Sequence, residues 1–153
     1  MASYSKILVG TDGSASSFRA VEAAGRLAAD SGAKLIMVCA YEPMPEKDRA
    51  RAGDQLRDLA YKVEGSTPAD DALRAARDRA VAAGAKDVDE VAVSSDDVVD
   101  TLIDLAKDRD VDLVVVGNRG LNTLAGRLLG SVPASLSHRA RCDVLIVHTT
   151  GGK

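Results

Sequence analysis

Residues 111–120 read VDLVVVGNRG and give the first indication of the fold. Positions 113–116 are Leu-Val-Val-Val, and this apolar, β-branched run stops at Gly117. A strand that is apolar at consecutive positions suits a parallel sheet covered by helices on both faces, because a strand with one solvated face would alternate apolar and polar residues. We therefore expect an α/β fold in which this run is an inner strand.

Other strand-length runs and helical patterns alternate along the chain. This alternation predicts right-handed βαβ units and a five-stranded, doubly wound parallel sheet. In such a sheet the ligand crevice lies beyond the carboxyl ends of the strands. The predicted strands are 6–10, 34–41, 88–95, 111–117 and 143–149. The predicted helices are 14–31, 67–84, a segment after the Ser94 cap through Ala106, and 131–140.

The helix boundaries carry their own signals. Gly32 stands where a helix commonly stops, and Pro68 suits the first position of a helix. The remaining start signals are short polar side chains that can accept a hydrogen bond from a first-turn amide. The predicted N-caps are Ser14, Thr67, Ser94 (in a box with Asp97) and Ser131.

Length and composition indicate one globular domain. The chain has 153 residues, of which 46% are hydrophobic and 28% charged, so we expect a single domain over 1–150 and a short tail at 151–153. The two cysteines, Cys39 and Cys142, lack metal-ligand spacing and predict free thiols in a reducing, cytoplasmic compartment. No leader and no window of about 20 apolar residues is evident, so we expect neither export nor a membrane partner. The charge-rich segment 42–66 predicts a loop without an assigned function.

The charge distribution points to a small anionic partner. The net charge is −3 and only 3% of residues are aromatic, which argues against a nucleic-acid surface. Yet residues 117–142 contain four arginines and no acidic residue, so the remainder of the chain carries a net charge of −7. Arg119 and Arg127 suit a ligand, whereas Arg139 and Arg141 suit the C-terminus of the last helix.

The first predicted strand ends in VGTDGS, residues 9–14. Asp12 therefore follows the carboxyl edge of the sheet, where a carboxylate could accept hydrogen bonds from ribose hydroxyls or an adenine amino group. A second interpretation is that Asp12 and Gly13 only form a tight turn, since Asp bonds its own backbone locally and Gly tolerates positive φ.

The fourth predicted strand opens a loop with glycines at 117, 120, 126 and 130, and Ser131 then begins a helix. Glycines allow a ligand to approach the backbone, and a helix N-terminus offers unpaired N–H groups to a phosphate. The alternative is that these glycines only shape the loop and Ser131 is only a cap.

These residues resemble a known family. Gly117, Gly120, Gly130 and Ser131 reproduce the G-x2-G-x9-G-(S/T) pattern of the ATP-binding class of universal stress proteins. The opening ILVGTDGS and the closing DVLIVHT are similar to the family's first and last strands, and the C-terminal segment is especially similar to actinobacterial members. The resemblance implies a Rossmann-like, adenine nucleotide alpha hydrolase-like fold with strand order 3-2-1-4-5.

The resemblance also implies a binding site for an adenine nucleotide, either ATP or cyclic AMP. Asp12 would hold the adenosine, Ala40 would border the adenine, and glycine-loop amides would hold the phosphates. The implied nucleotide-binding residues are Gly10, Thr11, Asp12, Ala40, Gly117, Asn118, Arg119, Gly120, Arg127, Gly130, Ser131 and Val132. Pro133 departs from the family because it lacks an N–H. ATP would bring Mg²⁺ or Mn²⁺ on its phosphates, with no metal ligand expected from protein side chains.

Many members of this family dimerise through their last strands. The resemblance therefore implies a homodimer whose interface contains residues 144–148: Val144, Leu145, Ile146, Val147 and His148. An exposed apolar edge strand requires such cover, which agrees with this interpretation.

The sequence predicts binding without catalysis. It contains no P-loop lysine motif, and His138 and His148, the only histidines, fall outside any catalytic signature. We expect a stress-response protein that senses or buffers its nucleotide. Two alternatives stay open: a slow ATPase or nucleotidyl-transfer enzyme on the same fold, and an interaction module that needs no nucleotide.

Overall fold

The computed structural model describes residues 4–41, 66–94, 97–118, 121–122, 128–129 and 132–149. The strands are β1 (Lys6–Gly10), β2 (Lys34–Tyr41), β3 (Val88–Ser94), β4 (Leu113–Gly117), β5 (Leu121–Asn122), β6 (Leu128–Leu129) and β7 (Asp143–Val147). Five of them form one sheet in the order β3-β2-β1-β4-β7, and β5 and β6 form a separate pair. The helices are α1 (Ala15–Ser31), α2 (Ser66–Ala82), α3 (Val98–Asp108) and α4 (Val132–Arg139).

The five-stranded sheet is parallel throughout, and its order is the predicted 3-2-1-4-5 when β7 is counted as the fifth strand. The α/β fold class is therefore confirmed. The antiparallel pair of β5 and β6 was not predicted, because two-residue strands carry no periodicity that a sequence can reveal.

The sheet is covered on both faces, as the consecutive apolar residues predict. Ile7 and Val9 of β1 face a core built with α1 and α2, whereas Leu8 faces a core built with α3 and α4. All three side chains are fully buried. Successive residues of a strand point to opposite faces, so an inner strand between two helix layers must be apolar at every position.

Helix α1 begins and ends as its sequence predicts. The Ser14 hydroxyl accepts from the Ser17 amide at the N-terminus, and Gly32 ends the helix with φ of 68°. Within the helix, Gly25 allows close packing on α2, because a Cβ there would lie 2.9 Å from the Ala80 carbonyl oxygen.

Two predicted N-caps were wrong. Helix α2 already begins at Ser66, so Thr67 lies inside it; Pro68 still fits because first-turn amides have no partner within a helix. Helix α3 is capped by Asp97, whose side chain accepts from the Asp100 amide, and not by Ser94, which ends β3. Pairing with β2 keeps Ser94 in the sheet. The predicted cap Ser131 lies outside the described residues.

Two strands are shorter than predicted, because β4 begins at Leu113 and β7 ends at Val147. The predicted last residue of β3, Ser95, lies outside the described residues. Asp112 lies just before β4, and its side chain accepts a hydrogen bond from the Lys6 amide at 3.1 Å. This bond joins β1 to the start of β4 in addition to the backbone pairing of the two strands.

Arg139 lies in the last turn of α4, as expected, but its guanidinium also pairs with Asp100 of α3. Both side chains are about half exposed. The arginine therefore joins two helices in addition to its position near a helix C-terminus.

Candidate functional site

The candidate site lies at the carboxyl edge of the sheet, where β1, β2 and β4 end. Helices that connect parallel strands run back antiparallel to them, so α1 and α3 begin at this same edge. The Thr11 amide donates to the Val38 carbonyl at 2.9 Å, which extends the pairing of β1 with β2 beyond the strand end. The fold thus gathers the predicted residues from three separate chain segments at one edge.

A small, partly open cleft lies at this edge. It brings together three of the predicted residues: Gly10, Thr11 and Ala40. The other lining residues were not predicted, and they are Val38, Val98, Thr101 and Leu102. The lining is mainly apolar, which suits the flat face of a heterocyclic base.

Helix α3 supplies the far wall of the cleft through Val98, Thr101 and Leu102. The sequence contained the signal that could have found them, because the first turns of a crossover helix must lie at the carboxyl edge of a parallel sheet. Leu102 also belongs to the core, since it is 1% exposed and packs with Leu8.

Asp12 forms the local turn that the second interpretation predicts. Its Oδ1 accepts from the Ser14 amide at 2.9 Å, and Gly13 adopts φ of 83°. A Cβ at position 13 would also lie 3.2 Å from the Ala72 side chain. The turn holds the half-buried carboxylate at the sheet edge, so the turn and a ligand contact are compatible explanations of Asp12.

Thr11 is buried, with 2% of its surface exposed. Its Oγ1 lies 2.8 Å from Ser17 Oγ and accepts from the Gly13 amide at 3.1 Å. The Thr11 hydroxyl is therefore engaged inside the protein. Ser17, which the sequence did not single out, is the second buried hydroxyl of this turn.

Gly117 and Asn118 meet Thr149, which follows β7. The Asn118 side-chain oxygen accepts from the Thr149 amide and hydroxyl, and the Arg19 guanidinium of α1 donates to the Thr149 carbonyl at 2.9 Å. A Cβ at position 117 would lie 3.2 Å from Thr149 Cγ2. Close packing on Thr149 therefore accounts for a glycine here, independently of a ligand.

The spacing of the glycine pattern has a structural counterpart. The nine-residue spacer between Gly120 and Gly130 begins at Leu121 and ends at Leu129, and these two residues pair with each other in the β5–β6 ladder. Paired residues on antiparallel strands have Cα atoms about 5 Å apart, so the two ends of the spacer lie close together.

Five predicted binding residues lie outside the described part of the chain: Arg119, Gly120, Arg127, Gly130 and Ser131. Val132 is described, and it is the first residue of α4 with a side chain that is 1% exposed. Only its backbone is therefore placed to meet a ligand. Pro133, the second residue of the helix, brings no N–H to this terminus.

The cysteine beside the cleft is not a nucleophile at neutral pH. Burial, reinforced by the charges of Asp12 and Asp70, raises the pKa of the Cys39 thiol to about 12. Its side chain is fully buried in β2, next to Ala40. The two histidines, His138 and His148, are exposed and do not line the cleft.

The universal stress protein family model matches residues 3–148. This chain belongs to the universal stress protein family. It is 52% identical over 150 residues to universal stress protein Rv1636 of Mycobacterium tuberculosis strain H37Rv, covering 98% of this chain and 100% of that relative. The family resemblance, including its similarity to actinobacterial members, is thus confirmed.

Two solved universal stress proteins support the same assignment. One, whose crystal structure is described as a complex with cAMP, is 53% identical and superposes with a TM-score of 0.75 over 97% of this chain and 100% of its own. The protein UspA from Lactobacillus plantarum is 25% identical, with a TM-score of 0.71 over 96% and 99% of the two chains. Of the helices that the structure describes, none has the length and apolar character needed to span a membrane.

Proposed function

We propose that this universal stress protein binds an adenine nucleotide at the carboxyl edge of β1, β2 and β4. The observation that carries the proposal is the cleft lined by Gly10, Thr11 and Ala40 in a chain 53% identical to a universal stress protein crystallised with cAMP. The family resemblance implies these three residues at the adenosine end of the site. Their place in one cleft supports the adenosine end of the site.

The phosphates would lie toward the glycine loop and the start of α4. Gly117, Gly120, Gly130, Ser131 and Val132 are proposed to meet them. The first amides of a helix lack partners within the helix and carry the positive end of its dipole, so α4 favours an anion there. Asn118, Arg119 and Arg127 complete the proposed site.

Cyclic AMP is the ligand that the site suits first. A cyclic monophosphate needs a single oxyanion site, whereas ATP needs room for three phosphates and brings Mg²⁺ or Mn²⁺. Pro133 removes one amide from the start of α4, which weighs against a long polyphosphate. In the described residues, no group of three or more His, Cys, Asp or Glu side chains could hold a metal ion, so the cation would rest on phosphate oxygens and water.

The proposed role is that of a sensor or buffer of the nucleotide during stress, and not that of an enzyme. The chain has no P-loop lysine to meet the β- and γ-phosphates. The buried Cys39 thiol is protonated, and both histidines lie away from the cleft. The slow ATPase and the nucleotide-independent interaction module remain the alternatives for the experiment to decide.

We also propose a homodimer through β7. This strand is an edge of the sheet, and its Leu145 and Ile146 are 37% and 42% exposed. An exposed apolar edge presents unpaired backbone groups that a second copy can satisfy. The interface would contain residues 144–148. We propose in addition that residues 1–150 form a single domain. The two free cysteines support a cytoplasmic location, which is part of the same proposal.

Two measurements test the proposed function. In the first, protein purified from cells is denatured, and the released small molecules are identified by mass spectrometry. Calorimetry then compares cAMP and Mg-ATP on ligand-free protein, with cGMP as the control for base recognition, while chromatography follows release of ADP, AMP and pyrophosphate from ATP. Binding of cAMP or ATP without turnover supports the proposal. Steady turnover favours the enzyme, and absence of binding at millimolar nucleotide contradicts the proposed function.

A further inference from the structure

We propose that Ser17 is a positioning residue for the nucleotide site, an inference that rests on the proposed function. Ser17 lies in the first turn of α1, is 2% exposed and does not line the cleft. It acts on a ligand only through the residues that it holds. Those residues are Thr11, Asp12 and Ser14, in the turn after β1.

The Ser17 hydroxyl has partners on every side. It donates to the Ser14 carbonyl at 2.9 Å, accepts from the Asp12 amide at 3.3 Å, and lies 2.8 Å from Thr11 Oγ1. Its own amide donates to the Ser14 hydroxyl at 3.1 Å. One buried side chain thus joins the strand end, the turn and the helix cap.

The direction of the bond to Thr11 follows from counting protons. A serine hydroxyl has one proton, and that of Ser17 is used by the Ser14 carbonyl, so Thr11 donates to Ser17. Thr11 Oγ1 in turn accepts from the Gly13 amide. The Thr11 proton is therefore directed into the protein, and Thr11 offers a ligand its backbone and not its hydroxyl.

This arrangement holds the Asp12 backbone before any ligand arrives. Without the Ser17 hydroxyl, the Thr11 proton and the Asp12 amide both lose a partner in a buried turn. The turn would then occupy several conformations, and binding would have to order it again. Such preorganisation raises the affinity for a ligand, because the turn is already ordered in the free protein and binding does not have to order it.

The test compares Ser17→Ala with Gly32→Ala, which alters the other end of the same helix. Alanine at position 32 meets no atom within 4 Å but must adopt φ of 68°, so it destabilises α1 without touching the turn. We expect Ser17→Ala to raise the Kd for cAMP by about fivefold to tenfold, as the loss of a buried hydrogen bond predicts. Gly32→Ala should change it less than about twofold, as expected for a change distant from the site.

Hydrogen exchange provides a readout without ligand. In Ser17→Ala the Asp12 amide should exchange faster, whereas in Gly32→Ala it should not. Should Ser17→Ala fail to fold, Ser17→Cys keeps a small side chain whose thiol replaces these hydrogen bonds only weakly, and a rise in Kd is again expected. Wild-type protein that binds neither cAMP nor Mg-ATP would overturn both proposals. Wild-type binding combined with equal affinities in Ser17→Ala and Gly32→Ala would overturn the positioning role alone.

Discussion

Thr149 donates from both its amide and its hydroxyl to a single atom, Asn118 Oδ1, at 2.7 and 3.0 Å. This pair joins the segment after β7 to the residue after β4. Thr149 is 4% exposed, and its methyl group also packs on Gly117. The candidate phosphate side of the site is thus bonded to the segment that follows the proposed dimer strand.

The contact between Gly117 and Thr149 predicts non-additive stability. Gly117→Ala would place a Cβ 3.2 Å from Thr149 Cγ2, and such overpacking costs about 1 to 3 kcal/mol. Thr149→Ser removes that methyl group and keeps the hydroxyl. In urea unfolding, the double variant should therefore lose less stability than the two single variants together. Additivity within about 0.5 kcal/mol would show that this contact does not require the glycine.

Gly130→Val is expected to reduce nucleotide affinity about 10²- to 10⁴-fold. A branched side chain would block the approach of a phosphate and remove about two charge-assisted hydrogen bonds, each contributing roughly 1.5 to 3 kcal/mol. Calorimetry on the folded variant measures the change. Gly126→Val is the matched control, because this glycine lies in the same loop but outside the G-x2-G-x9-G-(S/T) pattern. Unchanged affinity in folded Gly130→Val would make the glycine-loop assignment wrong.

Ile146→Lys is expected to convert dimers to monomers. Ile146 is 42% exposed on the edge strand β7, and a lysine in a paired edge would bury a charge without a partner. Sedimentation velocity measures the oligomeric state. Val81→Lys provides the control, since Val81 is 52% exposed on α2, away from β7. A wild-type monomer, or a dimer that persists in Ile146→Lys, would contradict the β7 interface.

The Asp100–Arg139 pair predicts an acid-dependent contribution to stability. The Arg139 guanidinium lowers the pKa of Asp100 below its ordinary 3.8 in the folded protein. A carboxyl group with a lowered folded pKa stabilises the protein above its unfolded pKa, and this contribution is lost as pH falls through the folded pKa. Asp100→Asn should therefore reduce Tm at pH 7 and flatten the fall in Tm below about pH 4. Parallel Tm curves for both proteins between pH 7 and 2 would exclude this contribution.

The two cysteines should differ in reactivity. Cys39 is fully buried with a pKa of about 12, and the pKa of Cys142 is also raised by burial although its side chain is partly exposed. Because the thiolate is the reactive species, iodoacetamide at pH 8 should modify Cys142 slowly and Cys39 only after unfolding. Peptide mass spectrometry measures both rates. Faster modification of Cys39 than Cys142 in folded protein would contradict the burial of β2.

Much of the fold was predictable because it depends on local patterns. The consecutive apolar residues of β1 and β4 require cover on both faces, and alternation with helices leaves few topologies. Gly32 and Ser14 mark the ends of α1 because a left-handed residue and an amide acceptor act within one turn. The N-cap predicted at Ser94 was wrong because Ser94 pairs with β2, a strand distant in sequence, and no local pattern reveals that pairing.

The site was predictable only in part. The sequence and its family resemblance pointed to Gly10, Thr11 and Ala40, and the cleft joins them. Ser17 and Thr149 carried no signal, because a buried hydroxyl is recognised by its partners and those partners come from the fold. The nucleotide contacts of the glycine loop stay a prediction.

What the sequence by itself determined is the five strands of the main sheet, the four helices, their order and the family, since these follow from periodicity, turn residues and the spacing of glycines. Only the tertiary structure decided how individual side chains are used. It directed the Thr11 hydroxyl to Ser17, turned the first residues of α3 toward the cleft, and set Thr149 against Gly117 and Asn118. Hydrogen bonds and close contacts depend on distances between residues far apart in the chain, and packing alone sets those distances.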